Sequence, residues 1–167
     1  MMNELQIFKD KAISHGICKD YLSEWNKARD KKTMIDIALS SEGCDFMCSS
    51  INEGWGVDKR WFKREFGSFL NGRYKRNDKT YTSSIYIDYK CAILADTTLM
   101  QLIDCDMMID IPQPMITKIF VCGKSNIELN GKGRVIVAIY GDNVKIDSKR
   151  FLGNIKTIKA EKWIGNL

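Results

Sequence analysis

Apolar positions fall three and four residues apart up to about Tyr74, and every second residue from Thr80 on. The first spacing lines one face of a helix, and the second lines one face of a strand. In "NELQIFKDKAISHG", Leu5, Phe8, Ala12 and Ile13 fall near one face, and in "KDYLSEWNKARD" Tyr21, Leu22 and Trp25 do the same. "KKTMIDIALSSEG" reads as a helix carrying Met34, Ile35, Ile37, Ala38 and Leu39, with Gly43 near its end. "CDFMCSSINEG" reads as another, closed by Gly54, which accepts the left-handed conformation that ends helices. Asp58 is placed to cap a helix opening at Lys59. Phe62, Phe66, Phe69 and Leu70 then form a core-facing stripe, and Gly72 ends that helix.

"TYTSSIYIDY", "MITKIFVC", "NIELNG", "RVIVAIYG" and "NVKID" are β-branched and aromatic runs divided by Gly and Asn, which predicts strands. Helices followed by strands, rather than alternating with them, predict an α+β fold. The expected division is a helical subdomain over 1–77 and a β subdomain over 78–167, packed as one compact unit, since no linker composition separates them.

Written in sixes from Ile103, the second half places Ile103, Ile109, Met115, Val121, Ile127, Gly133 and Ile139 at one position. A period of 18 also emerges: Ile109 with Ile127 and, after a one-residue slip, Val144; Ile111 with Leu129 and, after the same slip, Ile146; and Cys105 with Gly123 and Gly141. "GKSNIELN" and "GDNVKID" look like two copies of one corner and strand. The pattern is similar to the hexapeptide repeats of β-helices and predicts a short β-solenoid, whose coils bury apolar positions by stacking. A β-sandwich or roll with regular turns is the alternative. "IKAEKWIGNL", with Trp163 and Ile164 as a plug, is expected to cover the end of the stack.

Composition sets the outer bounds. The 167 residues are 44% hydrophobic and 28% charged, enough for a core and too apolar for a disordered chain. No stretch approaches the roughly 20 apolar residues of a membrane helix, and the start lacks the order of a secretory signal. A cytoplasmic protein with no membrane partner is expected. In that compartment Cys18, Cys44, Cys48, Cys91, Cys105 and Cys122 read as buried free thiols.

Charge then singles out "KRWFKREFGSFLNGRYKR", residues 59–76, with seven basic residues and one acidic, a net +6 against +5 for the whole chain. Lys59, Arg60, Lys63, Arg64, Arg73, Lys75 and Arg76 could bind phosphates, with Trp61 and Tyr74 as stacking rings, making nucleic acid a candidate partner. The ordinary reading of the same residues is the solvated side of an amphipathic helix. The rest of the chain sums to −1, so no second basic surface is expected.

Other chemistry is sparse. His15 with Cys18, and Cys44 with Cys48, have spacings a structural zinc site can use, although cysteines inside helices are usually core. Asp104, Asp106 and Asp110 would share a strand face, and 18-residue stacking would put Asp106 beside Lys124 and Lys124 beside Asp142. Asp104, Asp106 and Asp142 could then hold a divalent cation for hydrolysis, or form a solvated face of alternating charge. His15 is the lone histidine, and no P-loop, G-x-S-x-G or G-x-G-x-x-G occurs. A non-catalytic protein with no cofactor is expected.

"INEGWGVDKRWFKREFGSFLNGRYK" and "VCGKSNIELNGKGRVIVAIYGD" resemble small proteins of bacterial phages and mobile elements. The resemblance implies an accessory protein that binds a host factor, and it carries no site residue. Protein binding or self-association is therefore the first expectation, nucleic-acid binding the second and metal-dependent hydrolysis the third.

Overall fold

The computed structural model describes residues 10, 13–14, 19–27, 33, 36–37, 39–54, 58–67, 70, 72–75 and 82–160. Besides helical residues at 10, 13–14, 33 and 36–37, the described residues include helices α1 (Lys19–Lys27), α2 (Ser41–Glu53) and α3 (Lys59–Phe66), followed by ten strands. These are β1 (Gly72–Lys75), β2 (Thr82–Ile87), β3 (Lys90–Leu94), β4 (Leu99–Ile103), β5 (Asp106–Ile111), β6 (Ile116–Cys122), β7 (Ser125–Gly131), β8 (Arg134–Ile139), β9 (Val144–Phe151) and β10 (Asn154–Lys159).

The strands form a β-solenoid of about four coils, and the fold is α+β. Even-numbered strands stack in one sheet, in the order β1-β2-β4-β6-β8-β10, and β3-β5-β7-β9 stack in the other. Every pair is parallel except β1 with β2. Each coil is thus one strand in each sheet plus two corners. Coils run from 16 residues (Ser83 to Leu99) to 20 (Arg134 to Asn154), so they do not hold to 18. Ile109 accordingly stacks on Leu129, and Met107 on Ile127, two residues from the strict-period pairing.

Two apolar layers follow from the pleat. Met100, Leu102, Met107, Ile109, Ile119, Val121, Ile127, Leu129, Val135 and Val137 fill the space between the sheets. The other face of the six-stranded sheet carries Ile85, Ile103, Phe120, Ala138 and Tyr140 and is covered by Phe46, Met47, Cys48 and Phe62 of α2 and α3. Strands β2 and β4 of that sheet are buried on both faces, as expected of parallel strands with a helical cover. The four-stranded sheet shows its outer face to solvent, as in β5, where Asp106, Met108 and Asp110 are exposed and Met107, Ile109 and Ile111 buried.

Helix ends follow local chemistry. The Ser40 hydroxyl accepts the Gly43 amide at 3.0 Å, so α2 starts at Ser41 and Gly43 lies in its first turn rather than near the end of an earlier helix. Gly54 closes α2 with φ +71°. The Asp58 carboxylate caps α3 by accepting the Trp61 amide at 2.7 Å. That helix stops at Phe66, short of Gly72, because residues 72–75 pair with β2 instead. Among the described residues no helix is long and apolar enough to cross a membrane.

Candidate functional site

The basic stretch divides into unlike pieces. Lys59, Arg60, Trp61, Lys63 and Arg64 lie on α3, Arg73, Tyr74 and Lys75 on β1, and Arg76 lies outside the described residues. One continuous basic helix is therefore absent, since the sheet takes its second half. Trp61 is half-buried against the helix–sheet core, so only part of its ring faces solvent. Arg60 is exposed.

The two lysines of α3 turn toward the solenoid. Lys59 Nζ donates to Asp88 Oδ1 at 2.7 Å and to Asp104 Oδ2 at 2.6 Å, and Lys63 Nζ donates to Asp88 Oδ2 at 2.7 Å. Asp88 and Asp104 follow β2 and β4 directly, at one corner of successive coils, and both have φ +52°. Asp104 Oδ1 also accepts the Lys124 amide from the next coil at 2.7 Å. Hydrogen bonds from Asp104 and then Asp88 raise the pKa of Lys59, and Lys59 and then Lys63 hold the Asp88 carboxyl below its ordinary value. This constellation latches a helix to a corner.

The cysteines take structural positions. Cys44 and Cys48, on one face of α2, meet Gln101 on β4, which is fully buried. The Cys44 thiol donates toward Gln101 Oε1 at 3.9 Å, and Gln101 Nε2 donates toward the Cys48 sulfur at 3.5 Å. A buried amide thus meets two soft partners instead of water. A hydrogen bond with Cys48, followed by burial, pushes the Cys122 thiol well up, and burial raises Cys105 to about 11. Such thiols are poor nucleophiles. Among the described residues Cys44, Cys48, Cys91, Cys105 and Cys122 form no disulfide, while His15 and Cys18 lie outside the described residues.

The carboxylates do not converge. Asp104 sits on a corner and is held by Lys59. Asp106 lies on β5, facing Lys90 at 3.4 Å and the Asn126 amide at 3.3 Å. Asp142 is held by Lys159 at 2.8 Å. Asp106 stacks on Asn126, and Asn126 on Lys145, in place of the Lys124 and Asp142 neighbours that a strict period of 18 gives. Among the described residues no group of three or more His, Cys, Asp or Glu side chains could hold a metal ion.

The last described coil is β9 with β10, the end that "IKAEKWIGNL" is expected to cover; Trp163 and Ile164 of that plug lie outside the described residues. Among the described residues no strand pairs with the outer edge of either. Both apolar layers break off here. Ile155 stacks on Val135 and continues the inter-sheet core, yet stays 39% exposed; Ile158 stacks on Ala138 and is 41% exposed. Leu152, at the corner between the strands, is 75% exposed. Residues 144–160 also carry Lys145, Lys149, Arg150, Lys156 and Lys159 against Asp147, a net +4. That is a second basic surface. Two of its charges are compensated in place, Lys159 by Asp142 at 2.8 Å and Arg150 by Glu128 at 3.6 Å. A local signal was present: "NIKTIK" sets a lysine directly after each isoleucine, and lysines are common on edge strands.

Comparison of the chain with protein families, with known proteins and with solved structures finds no match.

Proposed function

We propose that this chain is a non-catalytic binding or assembly protein whose working surface is the last described coil of the solenoid. The single observation that carries the reading is the pair of strands β9 and β10. Their outer edges are unpaired among the described residues, and Leu152, Ile155 and Ile158 are 75%, 39% and 41% exposed. A solenoid needs a polar cap or a partner where its stacking stops, because unpaired strand edges and apolar ends favour association. The resemblance to phage and mobile-element proteins agrees with an accessory role, in which the partner is a host factor.

Binding of nucleic acid through α3 ranks second. Its support is the exposed Arg60 and the basic charge around it; against it, Lys59 and Lys63 are already engaged by Asp88 and Asp104. Anisotropy titration with oligonucleotides at low and near-physiological salt tests it, and tight binding lost on Arg60→Glu would move it to first place.

Photo-crosslinking in the cells that make the protein tests the leading reading. Benzoylphenylalanine is placed at Leu152 or, as a control on the solenoid's exposed face, at Met108. The expected result is discrete protein adducts from Leu152 that exceed those from Met108 and fall when Ile155 and Ile158 are both changed to Glu. Equal labelling from the two sites, or none from Leu152, overturns it.

A further inference from the structure

The backbone of β10 is arranged to receive one more strand. Asn154 donates its amide to the Gly133 carbonyl at 3.1 Å, and Ala160 donates to Ile139 at 2.8 Å. In a parallel ladder the N–H and C=O of one residue point to the same side, and successive residues alternate. Residues 154, 156, 158 and 160 therefore face β8. Ile155, Thr157 and Lys159 turn their amides and carbonyls away from it, along the outer edge. Beside that edge lie the exposed Ile155 and Ile158, with Lys156 and Lys159 between and beyond them.

We infer that the outer edge of β10 binds an extended acidic segment of a partner protein by strand addition, with carboxylates beside Lys156 and Lys159 and apolar side chains beside Ile155 and Ile158. The inference rests on the reading of the last coil as a binding surface and names the chemistry that surface selects. Outward N–H and C=O groups give an incoming strand its ladder, and alternate side chains give it specificity. Charge selects the partner. Lys159 is paired with Asp142 and Arg150 with Glu128, but Lys145, Lys149 and Lys156 have no ion pair among the described residues, and this surplus repels a second copy of the same coil and attracts carboxylates. A phosphate chain would use the charge alone, leaving the three outward backbone pairs and the two isoleucines without a role.

The test uses a fluorescein-labelled peptide of glutamate, valine and threonine, about as long as β10 and its flanks and ordered so that glutamates fall beside Lys156 and Lys159 and valines beside Ile155 and Ile158, titrated into the full chain. A lysine–valine peptide and a single-stranded oligonucleotide serve as comparisons. The glutamate peptide is expected to bind saturably, at least tenfold tighter than the lysine peptide, and more weakly at high salt. Thr157→Pro removes one outward donor without touching a bond to β8 and should weaken binding at least tenfold. Lys156→Glu leaves the backbone intact and should do the same. Circular dichroism melts confirm that both variants fold.

No saturable binding, equal binding of the two peptides, binding unchanged in both variants, or oligonucleotide binding that displaces the peptide would each overturn the inference. So would a dimer of the protein joined through this edge. Protein crosslinks from Leu152 alongside a failed peptide titration would refute the acidic-strand inference and leave the binding surface standing; failure of both would remove both.

Discussion

Asp88 and Asp104 hold backbone conformations with φ +52°, where most L-residues are strained and Asp is better tolerated. Later coils use Gly123 and Gly141 at the matching corner, with φ +71° and +84°. The difference follows from the neighbours. A Cβ on Gly123 would overlap Asp104 Oδ1, and one on Gly141 would overlap the Asn52 side chain. In the first two coils the side chain is useful, because it receives Lys59 and Lys63. Asp88 is held below its ordinary value, so its contribution is complete above the unfolded carboxylate pKa of about 3.9 and disappears as pH falls through the lower folded value. Lys59 is raised, so its contribution is complete below about 10.4 and disappears as pH climbs through the higher folded value. The side chains of Lys59 and Asp88 are 37% and 38% exposed, which keeps the effect small. Lys59→Met should cost about 1 kcal/mol or less at neutral pH. Urea unfolding should find that difference shrinking as pH falls below about 3.9, toward the lowered folded value of Asp88. A cost unchanged by acid would mean that Lys59 contributes through packing and not through charge.

Elements differ in how plainly the chain announces them. The caps Asp58 and Gly54 are legible because capping is local chemistry, and the alternation of "DMMIDI" fixes which side of β5 is buried. The coil register is not legible to the residue. Corners take two residues at 123–124 and four at 95–98, 112–115 and 140–143, so coil length varies. A slip of two residues keeps every side chain on its own face, which is why the period of 18 finds the solenoid and still pairs Ile109 with the wrong neighbour. The end of α3 and the start of β1 fail for another reason. Their apolar spacing fits a helix locally, and only pairing with β2 overrides it. Strand polarity within β10 gives a sharp prediction at this scale. Thr157→Pro should cost less than about 1 kcal/mol, because its amide faces outward, whereas Ile158→Pro should cost about 3 kcal/mol by removing a bond to β8. Thermal melts of the two variants check the order, and equal losses would contradict the assignment of inward and outward residues.

Seen as a whole, the molecule is a stack with unequal boundaries. Helices α2 and α3 cover one face of the six-stranded sheet, and β1 covers its first edge by antiparallel pairing. At the far boundary β9 and β10 carry exposed isoleucines, an exposed leucine and clustered lysines. The candidate site was legible in the sequence only in part, as an expected end of the stack and as the lysines and isoleucines of "NIKTIK". Neither the charge sum nor the apolar pattern of a single strand tells which strand is last, and only the stack does. The most direct measurement is amide hydrogen exchange by NMR across β10, in the free protein and with the glutamate peptide. The account predicts fast exchange at Ile155, Thr157 and Lys159, slow exchange at Lys156, Ile158 and Ala160, and slowing of the first three when the peptide is added. Uniform protection of all six amides in the free protein would contradict it, because the edge would already be occupied.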